Sequence, residues 1–238
     1  MQAVLLVGGL GTRLRSLSGD RPKPMMPVAG RPFLQYLLVQ LKNYGIRDVV
    51  LCVGYRAEMI QDHFGRGERL GINVRYSLDT ELRGTAGALR LAQEFISGDT
   101  FITMNGDSFF DADLQAVVRF HENRRSAATM ALVHVEDSSR YGTVDVDDDG
   151  RIVGFKEKQW SKAGLVNGGI YVFGREVLGL IPEGRAVSLE HEIFPRLVDT
   201  GFDGLPFRAP FVDIGDPEDC LRLQNAPEPL LRVLDQRR

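Results

Sequence analysis

The sequence predicts an α/β fold, a doubly wound, mostly parallel mixed sheet that continues into a smaller β-rich extension. Through the first half, short continuous apolar runs alternate with segments of helical period, which implies right-handed crossovers and helices on both faces of a sheet. In the second half the character changes to short runs divided by Gly- or Asp-rich turns, and 238 residues suffice for one α/β unit with a large core.

Ala3 to Val7 is apolar throughout and stops at Gly8-Gly9, the pattern of a strand buried on both faces. Pro32 to Tyr44 carries Phe33, Leu34, Leu37, Leu38 and Leu41 at helical spacing, with proline in the first turn and Gly45 just past the end. The alternation continues with a strand over Val49 to Val53, a helix over Ala57 to Phe64 and a strand over Ile72 to Ser77. A helix over Ala86 to Phe95 and a strand over Thr100 to Met104 complete it. Such sheets bind ligands beyond the carboxyl ends of their strands.

Asp111 to Glu122 reads as a further helix. Strands are then expected over Thr129 to Val135, Thr143 to Val146, Ile152 to Lys156 and Ile170 to Phe173, the middle pair joined by the hairpin turn Asp147-Asp148-Asp149-Gly150. Helices are expected over Leu189 to Val198 and after Pro217. Residues 1–226 form one unit in this reading, and the charged segment 227–238 is a tail lying as a loose helix on the surface. There is no internal repeat and no low-complexity segment.

Composition excludes more than it assigns. A hydrophobic share of 43% and a charged share of 26% rule out disordered and fibrous classes. A net charge of -3 argues against a nucleic-acid partner held by a basic surface, yet suits a local basic pocket for a small phosphorylated molecule. Cys52 and Cys220 sit among apolar residues without CxxC spacing and read as buried thiols. The first apolar run is too short for a secretory segment and no later run could cross a bilayer, so no membrane partner and a cytoplasmic location are expected. Oligomeric state is left open, a homo-oligomer included.

The most informative segment is Gly8-Gly9-Leu10-Gly11-Thr12-Arg13-Leu14, directly after the first strand and followed by Pro22-Lys23-Pro24. Glycines let backbone N–H groups approach phosphate oxygens, and Arg13 and Lys23 supply the positive charge a triphosphate needs. A lysine between two prolines is restrained in backbone and therefore aimed. The segment closes with no G-K-[ST] and lacks the G-x-G-x-x-G spacing, so it is neither a Walker loop nor a dinucleotide fingerprint. Asn105-Gly106-Asp107 ends the fourth strand, where a carboxylate beside a glycine can hold a hard cation with phosphate oxygens. Alone, that tripeptide marks a turn. In Asp213-Ile214-Gly215-Asp216-Pro217, Asp216 suits a helix cap.

G-G-L-G-T-R-L with P-K-P resembles the signature of the sugar-phosphate nucleotidylyltransferases, which have a Rossmann-like doubly wound core. The resemblance implies that Gly8, Gly9, Gly11, Thr12 and Arg13 hold the triphosphate and that Lys23 contacts the phosphates at the reacting centre. It implies Mg²⁺ on the carboxylate pair Asp107 and Asp213, with Asn105 and Gly106 on the nucleotide side. Phe155-Lys156-Glu157-Lys158 and Val166-Asn167-Gly168-Gly169 match the family's sugar-phosphate segments, so Glu157, Lys158, Asn167 and Gly169 are carried over, making the β-rich extension the sugar-binding part. Gln159 replaces the usual proline after Glu-Lys.

Glu81-Leu82-Arg83-Gly84-Thr85-Ala86-Gly87 resembles the family's base-reading loop in the form found in guanylyltransferases. A carboxylate only accepts, so Glu81 suits guanine N1–H and the exocyclic amine, with Gly84 and Thr85 beside it. The alternative is a helix start capped by Gly84 or Thr85 with Glu81 exposed. Arg83 stands where relatives carry an apolar residue. Several stretches, Ser139-Arg140-Tyr141-Gly142 among them, are similar to the D-glycero-α-D-manno-heptose 1-phosphate guanylyltransferases, placing Tyr141 and Gly142 with the sugar phosphate. The implied substrates are a nucleoside triphosphate and a sugar 1-phosphate. Mannose 1-phosphate guanylyltransfer and uridylyl or thymidylyl transfer are the neighbouring readings. A non-catalytic regulatory subunit that senses sugar nucleotides is the reading from another class, opposed by the presence of Arg13, Lys23, Asp107 and Asp213.

Overall fold

The computed structural model describes residues 1–9, 19–156 and 163–235. Strand β1 (Gln2–Leu6) leads to a short 3₁₀ turn at Lys23–Met25 and to the two-residue strands β2 (Pro27–Val28) and β3 (Arg31–Pro32). Helix α1 (Phe33–Asn43), strand β4 (Asp48–Val53), helix α2 (Ala57–Phe64) and strand β5 (Asn73–Leu78) follow. Then come α3 (Gly84–Leu91), β6 (Thr100–Asn105), β7 (Ser108–Phe110), α4 (Leu114–Arg124) and β8 (Ala128–Val135). The second half holds β9 (Thr143–Val146), β10 (Ile152–Lys156), β11 (Gly164–Gly174), α5 (Phe194–Gly201), β12 (Phe202–Phe207), β13 (Phe211–Asp213), α6 (Pro217–Asn225) and α7 (Glu228–Asp235).

The sheet is built around β6. On one side β6 runs parallel to β1, which pairs β4, which pairs β5, all parallel. On the other side β11 pairs β6 antiparallel, so one strand joins the two halves. β8 flanks β11 over nearly its whole length and carries β12 on its outer edge, while the β9–β10 hairpin joins the first part of β11. The β-rich extension is therefore continuous with the parallel half. The register shift between Asn167 and Tyr171 in β11 is a bulge. The sequence places the start of that strand at Ile170 because Asn167-Gly168-Gly169 reads as a break, whereas the strand begins at Gly164 and carries the segment as a bulge.

Alternation along the parallel strands separates the core into two faces. Ala3, Leu5, Val49, Leu51 and Val53 pack against α1 and α2, while Val4, Val50 and Cys52 pack under α3 and the Val187–Phe194 region. This is why the runs are apolar at every position. α1 ends as its glycine predicts: Gly45 has φ +75°, its N–H reaches Lys42 O at 2.9 Å and Ile46 N–H reaches Leu41 O at 3.0 Å.

Two expectations are corrected and one strand is added. The segment after Pro227 is a helix, but not a loose one: Leu230 and Val233 are buried against α1 and Val233 O accepts from Asn43 Nδ2. Its charges lie on one face and mask an apolar stripe at i, i+3 spacing. The helix expected over Leu189 to Val198 begins with a π-helical turn, Leu189–Ile193, and becomes α-helical only at Phe194, beside Pro195, which has no N–H to give. β12 went unread because glycine and proline interrupt it; Pro206 is tolerated on an edge strand. Both cysteines are buried and unpaired. Among the described residues no helix is long and apolar enough to cross a membrane.

Candidate active site

Counting only the parallel strands, the spatial order is third, second, first, fourth (β5, β4, β1, β6), so the winding direction reverses between β1 and β6. A cavity of about 440 Å³ opens there, at the carboxyl ends of all four. It is lined by Val7 to Gly9 after β1, Val53 of β4, Asp79 after β5 and Asn105 to Asp107 after β6. Two glycines are required by contact. A methyl on Gly106 would lie 2.5 Å from Val7 Cγ1 and 2.6 Å from Leu6 O, to which the Gly106 N–H donates at 2.9 Å. A methyl on Gly8 would meet Gly54 N at 3.1 Å. Gly11, Thr12 and Arg13 lie outside the described residues.

Lys23, Asp107 and Asp213 come together from three distant segments. The 3₁₀ turn at Lys23, started by Pro22 at φ -65° and locked by buried Pro24, aims the ammonium at Asp107 Oδ2, 3.3 Å away. β13 pairs antiparallel with β7, setting Asp213 opposite Ser108, and Ile214 N–H donates to Asp107 O at 2.9 Å. Asp213 Oδ1 accepts from Gly215 N–H at 2.7 Å. A methyl on Gly215 would sit 2.8 Å from that oxygen and 3.5 Å from Lys23 Nζ, so carboxylate and ammonium border one small space. Asp216 caps α6 through Glu218 N–H, as its place before Pro217 predicts.

Two carboxylates on a short β-ladder are a donor set suited to Mg²⁺, which takes one or two carboxylates and completes its shell with phosphate oxygens and water. No cluster of three or more candidate ligands exists among the described residues, so the site is not a dedicated all-protein cage. Asn105 Oδ1 and Ser108 Oγ, on either side of Asp107, are buried polar atoms without a hydrogen-bond partner. Such atoms cost free energy until a ligand or water meets them.

The loop before α3 is organised by Asp79, which sequence reasoning missed. Its carboxylate is buried and accepts from Glu81 N–H at 3.1 Å, Arg83 N–H at 2.7 Å and Arg83 Nη1 at 3.1 Å. Arg83 then reaches Glu81 Oε2 at 2.8 Å. Glu81 itself is turned out: its side chain is 70% exposed and does not border the cavity, unlike Leu82, Gly84 and Thr85. Neither Gly84 nor Thr85 caps α3 with a side chain. Thr85 Oγ1 instead donates to Glu190 Oε2 at 3.0 Å and accepts from Leu189 N–H at 2.8 Å. Glu190 lines the cavity from the second half of the chain. A strand-end acid one turn before the E-x-x-G-T step was a legible signal for Asp79; Glu190, after a capping serine, offered none. Cys52 also borders the cavity, and burial pushes its thiol up to about 12, so it stays a neutral wall atom.

Of the residues expected to meet the sugar phosphate, Asn167 at the β11 bulge accepts from Gly169 N–H at 2.8 Å and donates to the buried Tyr171 hydroxyl at 2.8 Å. Burial raises the Tyr171 phenol, keeping it an uncharged partner. Gly169 takes φ +71°, with Ser108 and Asn105 beside it, so the bulge touches the strand ends that flank the Asp107 turn. Tyr141 is half-buried, its ring 5.8 Å from Phe211, and Gly142 lies against Lys156 O at the end of β10. Glu157 and Lys158, the next residues, lie outside the described residues. Asn167, Gly169, Tyr141 and Gly142 do not line the cavity itself; Gly169 adjoins Asn105 and Ser108, and Tyr141 packs on Phe211 of β13.

The nucleotidyl transferase family model matches residues 2–228. The chain is 38% identical over 219 residues to D-glycero-alpha-D-manno-heptose 1-phosphate guanylyltransferase of Campylobacter jejuni subsp. jejuni, covering 92% of this chain and 96% of that one. It is 38% identical over 242 residues to mannose-1-phosphate guanylyltransferase of Mycobacterium tuberculosis, covering 98% of this chain and 67% of the relative. Its fold superposes on the crystal structure of HddC from Yersinia pseudotuberculosis complexed with GMP-PN with a TM-score of 0.85 at 33% identity, covering 94% of this chain and 98% of the other.

Proposed function

Because the chain belongs to the nucleotidyl transferase family, we propose that it joins a sugar 1-phosphate to the α-phosphate of GTP and releases pyrophosphate in a Mg²⁺-dependent reaction, with D-glycero-α-D-manno-heptose 1-phosphate as the acceptor. The carrying observation is the convergence of Lys23, Asp107 and Asp213, the first two of which line a cavity bordered by Gly8, Gly9 and Gly106. A triphosphate lying over the turn after β1 would present its α-phosphorus to these three side chains. An oxygen of the sugar 1-phosphate attacks it in line; the new P–O bond forms as the bond to the β-phosphate bridging oxygen breaks, and pyrophosphate departs with the electron pair.

A phosphate monoester is mostly dianionic near neutral pH, so the attacking group needs no base. What the protein supplies is position and charge. Lys23 stabilises the charge developing on the α-phosphate oxygens and orients Asp107. Asp107 and Asp213 would hold the Mg²⁺, which when bound neutralises phosphate charge. Arg13, with Gly11 and Thr12, takes the β- and γ-phosphates in this reading. Glu157 and Lys158 take the sugar and its phosphate in this reading, as do Asn167 and Tyr141.

Guanine is proposed from the E-x-x-G-T-A-G loop and from similarity to guanylyltransferases. Mannose 1-phosphate is the second reading, since a relative acting on it is equally identical. A matrix of GTP, ATP, UTP and dTTP against heptose, mannose and glucose 1-phosphates, read by pyrophosphate release with Mg²⁺ and with a chelator, tests all of it. Turnover only with GTP and the heptose phosphate, abolished by the chelator, is expected. Turnover with another pair reassigns the substrates, and sugar-nucleotide binding without turnover of any pair replaces the enzyme with a sensor.

A further inference from the structure

Arg140 lies one residue before Tyr141, in the loop between β8 and β9, yet its side chain belongs to α6. Nη1 donates to Asp219 Oδ1 at 3.1 Å and Nη2 pairs with Asp219 Oδ2 at 2.8 Å, a two-pronged contact. The same Nη2 reaches Asp216 Oδ2 at 2.9 Å, whose other oxygen caps the helix. Asp219 is a carboxylate only 10% exposed, and its other cation, Arg222, is 3.4 Å away and largely in solvent.

This contact straddles the second metal carboxylate. Asp213 lies between Phe211, on which the Tyr141 ring packs, and Asp216, which Arg140 grips. Tyr141 and Arg140 therefore fasten the acceptor loop to β13 before Asp213 and to α6 after it. Gly142, next in the loop, rests against the strand end that leads into Glu157 and Lys158. We infer that Arg140 is a positioning residue that clasps the acceptor-phosphate loop to the Asp213 segment, so that sugar phosphate and metal are placed as one unit while the nucleotide side is left independent. It touches neither substrate in this role. Lysine would not serve, because a point charge cannot bridge two carboxylates as a planar fork does.

The inference rests on the nucleotidylyl-transfer reading, and the test separates the two. The full chain, with whichever nucleotide and sugar 1-phosphate pair the unaltered protein turns over, is compared with Arg140→Lys, Arg140→Gln and the double variant Arg140→Gln/Asp219→Asn. For the single variants, KM for the sugar 1-phosphate and the Mg²⁺ concentration at half-activity are expected to rise roughly tenfold, in line with a small misplacement of reacting groups, with KM for the nucleotide unchanged. The double variant leaves no buried carboxylate without its partner, so it should regain thermal stability lost by Arg140→Gln while its acceptor KM stays high. Equal loss on both substrates, unchanged constants, or an acceptor KM restored together with stability would each overturn the clasp. No turnover by the unaltered protein would instead remove the functional reading beneath it.

Discussion

The two sides of the site are held by different forces. On the nucleotide side the walls are backbone: the turns after β1 and β6 touch through Gly106 N–H and Leu6 O, and the turns after β1 and β4 touch at Gly8 and Gly54. On the side proposed for the acceptor the parts come from residues near 140, 167 and 213 and are held by side chains: Tyr141 on Phe211, Asn167 on Tyr171, Arg140 on Asp216 and Asp219. Main-chain contact fixes a surface that many nucleotides could use alike. Side-chain contact can be rewritten one residue at a time, which suits the half that must tell one sugar from another.

The contrast can be broken at four points. Lys23→Ala, at the junction, should lower kcat by about a hundredfold or more with the fold intact, the loss of one oriented charge in the transition state. Near-normal turnover would remove Lys23 from the chemistry. Gly106→Ala forces a methyl into Leu6 O and Val7, and should cost roughly 1–3 kcal/mol of stability, read by denaturant melts. An unchanged melt would mean that the backbone wall yields. Glu81→Ala should reduce the preference for GTP over UTP about tenfold, a hydrogen bond to a charged group, although its carboxylate is now held by Arg83 outside the cavity. Constant selectivity would shift base reading to the loop backbone or to Asp79.

The smallest effect concerns His121, buried under the β-rich half with Nδ1 3.0 Å from Thr129 Oγ1. Burial lowers its pKa below the ordinary value, against weaker pulls upward from Glu176, Glu122 and Asp203. A depressed folded-state pKa means that the unfolded chain takes the proton first. Stability is thus whole above the ordinary histidine range and declines as pH falls through it towards the folded value. The melting temperature should drop between pH 7.5 and 5.5, and His121→Gln should flatten that slope. An identical slope in the variant would assign the pH response to other groups.

Much of the parallel half was legible because one rule governs it: strands buried on both faces must be apolar throughout, and α2 has its expected bounds, Ala57–Phe64. Lys23 was legible because two prolines announce a fixed backbone. Asp107 was a candidate from its place at a strand end, but Asp213 could be named only through resemblance, since nothing local shows that three-residue strands such as β7 and β13 will pair across a hundred positions. Glu190 escaped for the same reason. The final helix was misread because its polar residues dominate the count, while two buried side chains decide its place.

β6 has a parallel neighbour on one side and an antiparallel neighbour on the other, and it runs straight into Asn105-Gly106-Asp107. Hinge bending between the two halves would have to tear hydrogen bonds along that strand. In the proposed reaction that continuity would make the protein less a pair of jaws than a fixed gauge, holding the two substrates at one span.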